Sequence, residues 1–110
     1  MSKPSIVPTP GRIVLYVLAE WDVRDILKRR GTVFHGNDVH VGEVYPAMVI
    51  KAWGSTPESA VNLKVMLDGD DNHWATSRIV GEGPGTYHWM DYQKGQAAKY
   101  EKLEAEVAAK

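Results

Sequence analysis

The alternation of apolar and polar residues predicts β-strands along most of the chain. The clearest case is the run 61–67, where every second residue is apolar, as in a strand with one buried face. The polar segment 68–72 is typical of a hairpin turn, in which we expect Gly69 to have a positive φ, and residues 73–80 form the returning strand. The four side chains expected to be buried together are Val61, Leu63, Val65 and Leu67.

Three more strands are predicted, over residues 12–18, 43–53 and 86–90. The first is apolar on both faces, which indicates burial on two sides or an outer face covered by another element. Pro46 cannot donate to a ladder, so the strand 43–53 begins at a sheet edge or carries a bulge at that residue. Its two faces are expected to carry Val44, Met48 and Ile50 on one side, and Tyr45, Val49 and Trp53 on the other.

The apolar period changes to three and four over residues 19–30, which predicts an amphipathic helix ended by Gly31. Acidic residues near its start and basic residues at its end agree with the helix dipole. The expected buried stripe consists of Trp21 or Val23, then Ile26, Leu27 and Arg30.

A second helix is predicted from residue 93 to the end, because the composition shifts there to Ala, Lys and Glu. Its weak apolar stripe is Tyr100, Leu103 and Val107. A helix this short and this polar has little stability in isolation. We expect it to pack on the domain, to pair with a second subunit, or to fray.

This order of elements predicts a mainly β fold. The closest architecture is a small five-stranded SH3-like barrel with one helix in the first connection and a C-terminal helix. Residues 1–10 are expected to be a flexible tail because of their prolines, residues 11–90 the barrel-like domain, and residues 91–110 a C-terminal helix or tail.

Composition narrows the possible functions. Thirteen basic residues against fourteen acidic ones give a net charge of −1, which argues against nucleic-acid binding, since that function requires a surplus of Lys and Arg. There is no cysteine, so disulfides and thiolate sites are excluded. The chain shows no apolar run of signal-peptide or membrane-span length, and the expected location is the cytoplasm.

The motifs that resemble catalytic or metal sites are incomplete. Asp68, Asp70 and Asn72 have the spacing of a calcium loop, but His73 stands where that loop requires glycine. The four histidines show no metal-ligand spacing. The Gly-x-Gly-x-Gly run at 81–85 precedes a strand instead of a helix, unlike a phosphate-binding loop. We therefore expect no enzyme activity, no metal and no cofactor.

The tryptophans are the candidates for binding. Trp53, Trp74 and Trp89 all fall at strand ends beside turns. They either fill the core or form an aromatic rim that stacks on a planar ligand. Polar neighbours that would line such a pocket are Asn62, Thr76, Ser77 and Arg78, although Ser77 points to the opposite face from Trp74 and Thr76.

Several short segments resemble a family of small bacteriophage proteins of unknown function, common in phages of actinobacteria. The matching letters include Val-Asn-Leu-x-Val-x-Leu-Asp-Gly-Asp-Asp-Asn at 61–72, Trp-x-Thr-Ser at 74–77 and Gly-x-Gly-Pro-x-Thr-x-x-Trp at 81–89. Gly-Arg-Ile-Val-Leu-Tyr at 11–16 and Ala-Trp-Gly at 52–54 belong to the same pattern. The sequence departs from it at Glu43 and Met90.

The resemblance covers about residues 11–90 and implies no catalytic residues. It implies an accessory protein made in the host cytoplasm that acts by binding. Our first hypothesis is a non-enzymatic factor of host takeover or counter-defence, acting as a homo-oligomer, that sequesters a planar, nucleotide-type immune signal. The alternative is an SH3-like interaction or structural module that docks a host or phage protein.

Overall fold

A computed structural model describes residues 6–108 as one antiparallel sheet with two helices. The elements in chain order are β1 (Ile13–Val17), α1 (Glu20–Arg30), β2 (Val44–Ala52), β3 (Val61–Met66), β4 (Asn72–Arg78), β5 (Tyr87–His88) and α2 (Asp91–Ala108). All five strands and both helices predicted from the sequence are present, with ends that differ by one or two residues in most cases.

The five strands are arranged in the order β4-β3-β2-β1-β5, and each neighbouring pair is antiparallel. The predicted mainly β class and the placement of both helices are confirmed. The sheet is open, because β4 and β5 share no ladder, so a closed barrel is not confirmed. An isolated parallel bridge between Val80 and Tyr87 links the chain after β4 to β5.

The inner face of the sheet forms the core. Val61, Leu63, Val65 and Leu67 are all buried, which confirms the alternation predicted for β3. On β2 the face with Tyr45 and Val49 points inward, while Val44, Met48 and Ile50 are exposed on the other side. The two predicted faces are therefore correct as far as Ile50, and the one with Tyr45 and Val49 is the core face. Trp53, predicted on that inner face, is 56% exposed, because the register shift between Val49 and Lys51 changes the alternation and Ala52 packs against the core instead.

Pro46 lies where β2 pairs with β1 but not yet with β3. It stands opposite Leu15 of β1, whereas the ladder between β2 and β3 begins only at Ala47. Because a proline has no N–H to donate, this unpaired edge is a position that it tolerates.

The buried side of α1 agrees with the predicted stripe only in part. The residues of α1 that are buried are Asp22, Ile26 and Arg30, spaced four apart on one face, whereas Trp21 and Leu27 are about half exposed. Asp22 accepts a hydrogen bond from the backbone N–H of Ala19, which caps the first turn. Ile26 and Arg30 of the predicted stripe are thus buried, and Val23 packs against the core, but Asp22 was not predicted because it is charged.

Part of the expected N-terminal tail packs against the sheet. Ile6 and Pro8 are buried, so the packed region extends to residue 6, whereas residues 1–5 of the expected tail lie outside the described residues. At the other end α2 begins at Asp91, and from Ala98 to Val107 every residue is exposed.

The turn between β3 and β4 contains a correction. The hairpin is present, with Met66 opposite Asn72, but Gly69 is not among the residues with positive φ, so that prediction was wrong. The loop has five residues and does not need a primed turn. Gly69 is required for a different reason: it bridges Gly36, and a Cβ on Gly69 would lie 2.4 Å from the carbonyl oxygen of His35.

Candidate functional site

The seven residues predicted to line a site do not meet in one pocket. The structure brings together Trp53, Asn62 and Ser77, and leaves Trp74 and Thr76 exposed on β4. Arg78 points inward and Trp89 is buried. A cleft of about 590 Å³ lies elsewhere, between the N-terminal segment and α2, and none of the seven residues lines it.

Asn62 connects three strands. Its Oδ1 accepts hydrogen bonds from the backbone N–H of Ser77 at 2.9 Å and from Nε1 of Trp53 at 3.1 Å. The pairing register shifts on both sides of Asn62. On β2, Ile50 is an extra residue with no partner on β3. On β4, two residues lie opposite Asn62 instead of one. Asn62 therefore satisfies a donor that the bulge would otherwise leave unpaired, which is a structural role.

The bulge on β4 also changes the direction of Arg78. Ser77 has φ 55°, a left-handed conformation that usually requires glycine. Without the extra residue Arg78 would alternate to the outer face, but instead its guanidinium lies 3.3 Å from Asp22 Oδ1. It also lies 5.5 Å from the ring centroid of Trp21.

The three candidate tryptophans have different environments. Trp89 is only 6% exposed and contacts Tyr87 edge to face, so it belongs to the core. Trp53 and Trp74 are 56% and 58% exposed. The Nζ of Lys51 lies 4.4 Å from the ring centroid of Trp53, within cation–π distance.

The side of β2, β3 and β4 that points away from the core is an exposed apolar surface, which we call the outer face. The register aligns Met48, Lys64 and Trp74 in one row across the three strands. The other large apolar residues exposed on this face are Val44, Ile50 and Met66. The three strands contain no Asp or Glu, and Lys64 is the charged residue in the row.

Sequence reasoning identified only part of this surface. It placed Val44, Met48 and Ile50 on one face of β2 without assigning that face a function. The signal was available in the sequence, because a strand with one face in solvent ordinarily has a polar outer face, and β2 is apolar on both. On this chain the inner face is covered by the core, and among the described residues the outer one remains exposed.

A buried polar cluster lies on the inner side of the sheet, and sequence reasoning missed it. Asp22 is fully buried, and its Oδ2 accepts a hydrogen bond from the hydroxyl of Tyr16 at 2.5 Å. Its Oδ1 lies 2.8 Å from Nε2 of His73. On the other side of that ring, the guanidinium of Arg29 lies 3.3 Å from Nδ1.

The hydrogen-bond roles in the cluster follow from the chemistry of its groups. Arginine has no acceptor, so Nδ1 of His73 accepts from Arg29 and Nε2–H donates to Asp22. Burial by itself would raise the pKa of Asp22, but the hydrogen bonds from His73, Tyr16 and Ala19 outweigh it and hold the pKa below its ordinary value. Burial, and then the bond to Asp22, raise the pKa of Tyr16. The cluster is thus an ionised carboxylate closed off from solvent, which suits a structural role better than a reaction.

A second ion pair fixes the loop between α1 and β2. The guanidinium of Arg30 donates to both oxygens of Asp71 at 2.9 Å, and its third nitrogen donates to the carbonyl of Asn37 at 2.8 Å. The same loop is joined to the β3–β4 turn by the backbone bond from Asn37 to Asp68. Bidentate arginine–carboxylate contacts hold planar geometry well, so these two loops form one unit.

Comparisons with protein-family models, with curated proteins and with solved structures gave no match. The resemblance to a phage family therefore stays a prediction. Neither helix in residues 6–108 combines the length and the apolar character that crossing a membrane would demand.

Proposed function

We propose that this protein is a non-enzymatic interaction module that binds a partner protein through the outer face. The observation that carries the proposal is the exposed row of Met48, Lys64 and Trp74 with its apolar neighbours. Contiguous exposed apolar surface on a small domain is typical of an interaction site. Tryptophan is enriched among the residues that dominate binding energy, and methionine side chains adapt to an irregular partner.

The charges of the outer face define the chemistry of the partner. Lys64 stands between two large apolar side chains, and no acidic residue of β2, β3 or β4 neutralises it. A complementary surface therefore offers apolar side chains around one carboxylate. The resemblance to phage proteins supports a host protein in the infected cytoplasm as this partner, and an SH3-like module is the finer fold that we propose.

The test compares the outer face with an exposed apolar residue elsewhere. Wild type, Trp74→Ala and Lys64→Glu are used to capture proteins from host lysate, with Phe34→Ala as the matched control because Phe34 is 81% exposed in a loop. The captured protein is then purified and its affinity measured by calorimetry.

We expect Trp74→Ala and Lys64→Glu to weaken binding about tenfold or more, as for a residue at the centre of an interface, and Phe34→Ala to leave the affinity unchanged. Equal affinities for all four proteins would overturn the proposal.

Sequestration of a nucleotide-type ligand is the second candidate. The observation that favours it is the exposed ring of Trp53 beside the ammonium of Lys51, a pairing that suits a planar phosphorylated molecule. Two of the predicted site residues do not support it, since Asn62 is engaged within the sheet and Trp89 is buried.

A panel of nucleotide second messengers, titrated against the wild type, tests this candidate. Trp53→Ala should weaken a bound nucleotide roughly 5–150-fold, the range that corresponds to about 1–3 kcal/mol per stacked base. Trp53→Phe keeps a ring but loses the hydrogen bond to Asn62, and should retain most of the affinity. If the wild type binds no member of the panel, the second candidate fails and the interaction module stands alone.

A further inference from the structure

α2 presents an apolar stripe that no other part of residues 6–108 covers. Tyr100, Leu103 and Val107 are all more than half exposed, and their spacing of three and four places them on one side of the helix, as in a heptad seam. Ala97 is the α2 side chain that packs against the core, and every residue from Ala98 to Val107 is exposed. Most helix stability in proteins comes from packing of the apolar side, and this part of the 18-residue α2 lacks that contribution within the chain.

We propose that a second copy of this chain covers the stripe, with the two α2 helices packed antiparallel about a twofold axis. The stripe is complementary to itself in that arrangement. Tyr100 packs against the partner's Leu103, and Gln96 lies against the partner's Val107. Both contacts occur twice because the axis relates them.

The charges beside the stripe support this arrangement. Lys99 and Glu106 flank it on the same side, one heptad apart, at the positions that face each other in an antiparallel pair. Lys99 then meets the partner's Glu106, and Glu106 meets the partner's Lys99. Among the described residues neither side chain belongs to an ion pair within the chain.

A parallel pair would use a different carboxylate, because Lys99 would then face the partner's Glu104. A parallel pair would also place the two β-sheet domains side by side, although their helices lie only about 8–10 Å apart. The molecule measures 64 × 23 × 22 Å, so its width exceeds that separation. In the antiparallel pair the bodies lie at opposite ends of the helix pair, and the opposed helix dipoles attract.

The cleft of about 590 Å³ extends the same surface. It is lined by Ile6 and Val7 on one side and by Gln96 and Tyr100 on the other. In the antiparallel pair the partner's Val107 lies beside Gln96, at this cleft. The end of the partner helix therefore has an apolar surface to contact beyond α2 itself.

The first experiment measures mass by sedimentation over a range of protein concentrations. We expect the wild type to approach twice the chain mass of 12.3 kDa as its concentration rises. Leu103→Asp places a charge in the seam and should leave a monomer. Ala105→Asp adds the same charge on the opposite side of the helix and should dimerise like the wild type.

The second experiment identifies the helix orientation by charge reversal. Lys99→Glu alone and Glu106→Lys alone should each weaken the dimer roughly tenfold, since each converts two attractive pairs into repulsive ones. An equimolar mixture of these two variants should recover the wild-type dimer, because both pairs become attractive again. A mixture of Lys99→Glu with Glu104→Lys should not.

Three results would overturn the proposal. One is a wild type that stays monomeric at every concentration, and another is a dimer that persists in Leu103→Asp. The third is recovery with Glu104→Lys instead of Glu106→Lys, which would require parallel helices. None of these results depends on the outer face, so the proposed function is tested separately.

Discussion

Asp22 and His73 are 51 residues apart in the sequence, and their side chains meet in the interior with Oδ1 2.8 Å from Nε2. This contact joins α1 to β4, at the edge of the sheet. Because Tyr16 and Arg78 bind the same carboxylate, one buried charge links β1, α1 and β4. The buried face of α1 has few apolar residues, so this polar cluster helps to orient the helix over the sheet.

Removing that carboxylate should destabilise the fold strongly. We expect Asp22→Ala to lower the free energy of unfolding by about 3–5 kcal/mol, because it leaves buried donors on Tyr16 and His73 without their acceptor. Asp25 is exposed on the same helix, so Asp25→Ala is the control and should change stability by no more than about 0.5 kcal/mol. Urea unfolding followed by circular dichroism measures both. Similar losses for the two variants would contradict the role given to the cluster.

Stability should fall on the alkaline side. The pKa of Tyr16 is raised above its ordinary value of 10.0, first by burial and then by the bond to Asp22. A raised pKa in the folded state gives stability that is complete below pH 10 and is lost as the pH rises toward the folded pKa. Each such group contributes a slope of up to about 1.4 kcal/mol per pH unit.

Tyr16→Phe should therefore reduce the slope of stability against pH above pH 10, even though it lowers stability at neutral pH. Burial raises the pKa of Tyr87 as well, so part of the slope should remain. Tyr92→Phe, at an exposed position, is the control and should keep the wild-type slope. Guanidinium unfolding at a series of alkaline pH values provides the measurement. An unchanged slope in Tyr16→Phe would assign the effect to other groups.

The close contact between Gly36 and Gly69 predicts that Gly→Ala substitutions will differ sharply in their effect on stability. A Cβ on Gly36 would lie 2.4 Å from the Cα of Gly69 and 2.4 Å from the carbonyl oxygen of Asp68. Since these are backbone atoms, Gly36→Ala must separate the two loops, and we expect a loss of about 1–3 kcal/mol. Gly83→Ala meets no atom within 4 Å and should be close to neutral. Thermal unfolding of both variants decides this, and equal melting temperatures would show that the loops move apart freely.

Asn62 should be needed for the bulged end of the sheet. Asn62→Ala removes the acceptor for the N–H of Ser77 and for the indole of Trp53, and we expect a loss of about 1–3 kcal/mol. Thr76→Ala, on the exposed face of the neighbouring strand, is the control and should have little effect. Hydrogen exchange at the amide of Ser77 gives a local measurement. Unchanged protection there in Asn62→Ala would mean that another group satisfies this amide.

The sequence alone was enough for the order of the elements and for the core face of β3. The period of two in Val61–Leu67 has one physical solution, a strand with one buried face, and burial of all four apolar side chains follows from it. The helix end at Gly31 and the two faces of β2 as far as Ile50 also follow from local sequence, whereas the bulge that leaves Trp53 exposed does not. Local periodicity and backbone stereochemistry determine such features, so they can be inferred without knowing which elements meet.

What only the tertiary structure decided was the environment of individual side chains. Trp89 and Trp74 look alike in the sequence, at strand ends beside turns, yet one is core and the other is surface. Ser77 occupies a bulge, and that single extra residue turns Arg78 from the outer face to Asp22. The partners of Asp22 come from β1 and β4, and a charged residue at a helix start carries no local sign that it will be buried. Burial and hydrogen bonding depend on contacts between distant segments, and those exist only once the sheet has formed.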